Sequence, residues 1–101
     1  MELFTPPLSV FGGDAETPQC LALNVSTRTL DVTLALFTDG SFAGNGSNNA
    51  LPPLHTLLIE SLTVSGRVTC RLTSAAGKPG DFIVTFCTME NSSCKVAVTA
   101  Q

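Results

Sequence analysis

Four cysteines, at positions 20, 70, 87 and 94, and a single histidine, His55, are the residues here with the most reactive chemistry. An even cysteine count in a small, low-charge chain rich in Thr and Ser points to two disulfides. Zinc is the competing use of the same atoms, but zinc sites bring two ligands together within a few residues. The nearest pair here, Cys87 and Cys94, has six residues between. Disulfides are therefore the preferred reading, with no metal site and no cofactor. A hydrolytic triad needs a histidine base oriented by an acid, and His55 follows Pro52-Pro53 at the start of a strand. No nucleophile elbow, phosphate loop or H-E-x-x-H helix is present. Eight acids are spread almost evenly, so no carboxylate pair of the glycosidase kind stands out. Glu60 alone interrupts an apolar run; an outward-facing position is preferred over burial beside Arg67 or Arg71. No enzyme is expected, and no catalytic residue is assigned.

The segment 39–50, with three glycines and three asparagines, reads as the main loop and as the candidate contact surface. Phe42, its only aromatic, is the candidate binding anchor, with Asn45 beside it. The competing and preferred fate for Phe42 is packing that closes the end of the domain, because an exposed aromatic is costly unless it packs or binds. Asn45-Gly46 reads as a type I′ turn after a short strand at 41–43. Asp39, Asn45, Asn48 and Asn49 lack the spacing of a calcium loop. N-x-[ST] sequons fall at Asn24, Asn45 and Asn91, of which Asn24, on a strand, is the weakest glycan acceptor.

These residues must be positioned by strands. Leu30, Val32, Leu34 and Leu36 alternate with Thr29, Asp31, Thr33 and Ala35, the period of a half-buried antiparallel strand. Residues 19–26 alternate likewise, with Leu21, Leu23 and Val25 on one face and Cys20, Ala22 and Asn24 on the other. Pro6-Pro7 confines the leading segment 2–11 to an edge or a change of sheet. Residues 55–64 form a strand or a short helix, and 67–74 a strand with Val68, Cys70 and Leu72 on one face. Residues 81–88 and 94–100 make the last hairpin. A register that sets Cys87 opposite Cys94 also sets Thr85 opposite Val96 and Ile83 opposite Val98. That pairing leaves Cys20 for Cys70.

The 101 residues suffice for one domain, 1–101. Thr occurs 13 times, Trp and Tyr never, and no helical apolar period extends beyond about two turns. About seven or eight short strands with regular turn signals predict an all-β fold, an antiparallel β-sandwich of immunoglobulin-like or related topology. A barrel is the alternative architecture. At 44% hydrophobic and 13% charged residues the chain is not a disordered one. Net charge −3 with five scattered Lys and Arg argues against nucleic acid as a partner. No apolar run approaches the ~18 residues of a membrane span. The start, Met1 to Pro7, lacks the basic and apolar regions of a signal peptide. A processed, exported chain with an added Met is preferred over an intracellular one because of the cysteines.

The segments Cys20-Leu-Ala-Leu-Asn24-Val-Ser and Arg28-Thr-Leu-Asp-Val32-Thr-Leu precede a Gly-rich turn, Leu51-Pro-Pro and a strand holding Cys70. In this order, over residues 19–100, the chain resembles small exported bacterial β-sandwich proteins of unknown function. The resemblance implies a secreted or periplasmic β-sandwich and carries over no functional residue. The expected function is a structural or interaction role with an unknown protein or glycan partner. A carbohydrate-binding module is the alternative, although such modules stack sugars on aromatic rings and the only aromatics here are six Phe.

Overall fold

A computed structural model of the chain describes residues 1–10, 16–61, 66–90 and 93–99. The described residues are all-β apart from one 3-10 turn at Pro79–Asp81. The strands are β1 (Glu2–Phe4), β2 (Leu8–Val10), β3 (Glu16–Asn24), β4 (Leu30–Thr38), β5 (Ser41–Leu51), β6 (Thr56–Glu60), β7 (Gly66–Thr73), β8 (Phe82–Glu90) and β9 (Ser93–Thr99). The ambiguous apolar run is thus a strand from Thr56 to Glu60, and the rest of it, 62–64, lies outside the described residues.

Every pairing is antiparallel. One sheet has the order β1-β7-β4-β5, with β2 also on β7; the other has the order β6-β3-β8-β9. Among the described strands, β4–β5 and β8–β9 are the consecutive ones that pair, and the other steps from β2 onward change sheet. The first strand therefore lies beside the seventh, whereas an immunoglobulin domain sets its first strand beside its second. The all-β, antiparallel arrangement expected from the strand count is observed, with this strand order. Strand count and turn spacing are common to many two-sheet topologies and do not encode which strands meet.

Both sheets contribute to one apolar cluster. Leu30, Val32, Leu34 and Leu36 of β4, Val68 and Leu72 of β7, and Val84 and Phe86 of β8 are at most 2% exposed. The alternation on β4 places its leucines inward, as its sequence requires. On β3 the inward set is Cys20, Ala22 and Asn24, while Leu21 and Leu23 turn outward and stay half-buried. The reason is covalent as well as apolar: Cys20 of β3 is bonded to Cys70 of β7, with Cα atoms 6.2 Å apart, which joins the two sheets. Small residues suit the point where strands from different sheets come close. Pro6-Pro7 falls between β1 and β2, both on the edge of β7, where a missing N–H breaks no ladder. Thr5 beside them is buried; its backbone N–H donates to the Cys70 carbonyl and its hydroxyl accepts from the Cys70 N–H.

Two expectations of local structure are corrected. Residues 41–51 are a strand rather than a loop. The hairpin turn is Asp39-Gly40, with φ of 49° and 84° and Thr38 paired with Ser41, so Asn45-Gly46 lies mid-strand. Two consecutive positive φ values define the I′ turn, and Asp-Gly meets that demand directly after the alternating strand. The last hairpin is also shifted. Cys87 pairs with Ala97, Thr85 with Thr99 and Phe86 with Val98, not Cys87 with Cys94. The strands extend to Glu90 and Ser93, closer to the turn than expected, and a bulge between Thr88 and Met89 takes up one residue of β9. Cys94 stands opposite Met89, and the bulge returns it to the face of Cys87, to which it is bonded at a Cα separation of 5.8 Å.

Candidate functional site

The solvent-facing side of the β1-β7-β4-β5 sheet brings aromatic, cationic and neutral polar side chains together. Alternation that buries Leu3, Leu36 and Cys70 turns Phe4, Phe37 and Arg71 outward. The register sets Phe4 opposite Arg71, Arg71 opposite Ala35, and Ala35 opposite Asn45. In the adjoining row Thr69, Phe37 and Phe42 stand side by side. The Phe37 and Phe42 rings meet edge to face, centroids 6.0 Å apart, a geometry that contributes about 0.5–1.5 kcal/mol beyond burial. The Arg71 guanidinium lies 4.8 Å above the Phe37 ring. A hollow of about 320 Å³ is lined by Phe4, Phe37, Gly40, Thr69 and Arg71.

Phe42, the anchor expected from sequence, is 59% exposed and packs on Phe37 outside the core. Closure of the domain end, the preferred reading of its role, is therefore overturned. The turn at Asp39-Gly40 starts β5 two residues before Phe42 and hands that ring to the outer face. Asn45 is exposed on β5 in the register of the same face. Phe4, Phe37 and Arg71 were not weighed as contact residues. Their signal lay in strand phase: Phe37 follows the outward set of β4, and Arg71 alternates with the inward Cys70 and Leu72.

The opposite sheet presents a different surface. Leu21 pairs with Leu58 and Leu23 with Ile83, and the last of these is 47% exposed. A second hollow, of about 280 Å³, lies beside the Cys87–Cys94 bond among Gln19, Leu21, Thr85 and Met89. Glu60 is exposed here, accepting a long 3.5 Å bond from the Gln19 amide, and belongs to the other sheet from Arg67 and Arg71. The outward-facing reading of Glu60 holds.

The remaining candidates have structural duties. Asn24 is fully buried: its amide donates to the carbonyls of Arg28 and Leu51 and its oxygen accepts from the Ser26 N–H and hydroxyl. A glycan cannot be carried on that nitrogen in the folded chain. Asn45 is exposed; Asn91 lies outside the described residues. His55 is exposed, its Nδ1 3.0 Å from the Pro53 carbonyl. Asp31 accepts the Ala75 and Ala76 N–H groups and the Ser74 hydroxyl. Those backbone bonds, Ala75 first, hold its carboxyl below the usual value of 3.8. Among the described residues no three His, Cys, Asp or Glu side chains cluster as metal ligands, and no helix is long and apolar enough to cross a membrane. No family model, curated protein or solved structure matches the chain.

Proposed function

We propose that the chain is an exported, disulfide-stapled β-sandwich that works by binding rather than by catalysis, with the outer face of the β1-β7-β4-β5 sheet as its contact surface. The observation that carries this reading is the exposed Phe42 against the half-buried Phe37, beside Arg71 and the exposed Phe4 on one sheet face. Soluble domains seldom leave aromatic rings grouped in water without a partner. Two disulfides suit an oxidising compartment outside the cytoplasm, in keeping with the exported bacterial β-sandwich proteins that the sequence resembles. The shared apolar cluster and the Cys20–Cys70 bond favour a sandwich over a barrel. The absence of catalysis rests on the sole histidine, whose Nδ1 faces a backbone carbonyl and not a carboxylate.

The partner is a protein or a glycan. The glycan reading gains from three phenylalanines on one face, since sugars dock their apolar C–H faces on rings. The test is binding by the wild-type chain and Phe42→Ser on a glycan array and to candidate extracytoplasmic proteins purified one at a time. Because Phe42 is mostly exposed, the variant should melt within a few degrees of wild type, about 1 kcal/mol or less, and lose its ligand. A ligand held equally by both chains would overturn the assignment of this face. Turnover in a hydrolase panel would overturn the non-catalytic reading.

A further inference from the structure

Among the described residues Arg71 and, four positions along β7, the exposed Arg67 are cations of this face with no ion pair; Arg71 is the one that lines the hollow. Its guanidinium stacks on the Phe37 ring, and its Nε is buried with no hydrogen-bond partner among the described residues. Asp31, Asp81 and Asp39 are committed to other groups, whereas Glu2 shares this face as a diagonal neighbour that forms no ion pair with Arg71. Asp31 is held by the backbone at 75–76, and Asp81 is 3.2 Å from Arg28. Glu2 stands opposite Thr73, two positions along from Arg71, and is exposed; Asp39 accepts from the Arg67 N–H. The buried Nε is out of a ligand's reach, but the guanidinium lines the hollow, and the fork of its terminal N–H groups matches a planar carboxylate, whose two oxygens accept in parallel.

The walls of the hollow define what must carry that carboxylate. Phe4 and Phe37 are apolar, Thr69 offers a hydroxyl, and Gly40, at φ 84°, brings no side chain to the rim. Its volume of about 320 Å³ is at the small end of ligand pockets, the range suited to a single ring. Thr33, Asn45 and Ser47 extend the face with neutral hydrogen-bonding groups along β4 and β5. A flat apolar ring face, one carboxylate and several hydroxyls together describe an acidic sugar.

We propose that Arg71, Phe4 and Phe37 form a subsite for a uronic-acid residue, the ring against the phenylalanines and the carboxylate on the guanidinium. The inference rests on the reading of this face as the contact surface and names its ligand class. The experiment is calorimetric titration of the full chain with oligogalacturonate, with neutral galacto-oligosaccharide and benzoate as matched probes. Wild type should bind the uronate and bind both controls at least about tenfold more weakly, the scale of a charge-assisted hydrogen bond. Arg71→Gln should weaken uronate binding about tenfold or more with its melting temperature preserved, and Arg71→Lys should fall between, keeping charge without the fork. Equal binding of the neutral sugar, an unaffected Arg71→Gln, preference for benzoate, or no binding of any probe would each overturn the proposal. If another ligand emerges whose binding Phe42→Ser abolishes and Arg71→Gln does not, the contact face stands and the uronate subsite falls. If no ligand depends on Phe42, the face itself is misassigned.

Discussion

Asn24 shows how one residue can hold a junction together. It ends β3, and through its amide and its oxygen it ties the 26–28 turn and the end of β5 to that strand. Its own backbone N–H donates to His55 and its carbonyl accepts from Leu54. Replacing it with Ala strands several buried polar groups at once, each worth about 1 kcal/mol. Asn24→Ala should therefore lose about 3 kcal/mol in urea unfolding, whereas most surface changes stay within about 0.5. Asp31 makes a second, pH-dependent tie. Its carboxyl is held below 3.8 in the folded chain, so its contribution is fully present above the unfolded value and is lost as pH falls through the lower folded one. The melting temperature of Asp31→Asn should lie below wild type at pH 6, and the gap should close as pH falls below 3.8 and through the lower folded value.

Turns set where each strand begins, and here they place the outer-face residues. Asp39-Gly40 is a two-residue I′ turn that starts β5 and sets Phe42 against Phe37. Pro52–His55 is the second such device. His55 N–H donates to the Pro52 carbonyl at 3.2 Å, and Leu54 has φ of 63° and is 77% exposed. Proline followed by a residue of positive φ is the arrangement of a type II turn, whose third position favours glycine. A non-glycine residue there costs about 1 kcal/mol, and Leu54 gives up little burial if removed. Leu54→Gly should raise stability by up to about 1 kcal/mol, part of the gain being offset by glycine's larger unfolded-state entropy. Leu54→Val should lower it, and thermal melts of both variants check the sign. Gly46 governs the approach of β5 to β6, because a Cβ there would stand 2.6 Å from the Ile59 side chain.

At the scale of the whole molecule the two disulfides do unequal work. Cys20–Cys70 joins the sheets across a separation of 50 residues, and Cys87–Cys94 closes only seven within one hairpin. The chain-entropy relation puts these at about 4 and about 2.5 kcal/mol, beside a total of about 5–15 for a domain. Cys20→Ala with Cys70→Ala should lower the urea midpoint more than Cys87→Ala with Cys94→Ala. The first pair also loses buried core atoms, both cysteines being fully buried, which widens the difference. An equal loss from the two double variants would show that the inter-sheet bond adds nothing beyond a local staple.

Strand character was legible because side-chain alternation is a local property of the backbone: Leu30, Val32, Leu34 and Leu36 had to share a face, and that face had to be buried. Pro6-Pro7 likewise pointed to an edge, since a residue without an N–H cannot sit inside a ladder. Asp39-Gly40 carries the same turn signal as Asn45-Gly46, and only the pairing of Thr38 with Ser41 distinguishes them. The β8–β9 register was not legible. Both faces of that hairpin carry apolar pairs, so patterning resists a slip only weakly, and a bulge resets the phase. Sheet membership was not legible either, because crossing from one sheet to the other leaves no mark on a strand's own pattern. The sequence by itself determined most of the strands, the buried face of β4 and a chain built for disulfides. Only the tertiary structure decided that Phe4, Phe37, Phe42 and Arg71, from four strands spread over 68 residues, meet on one surface, because that meeting depends on long-range pairing and not on local spacing.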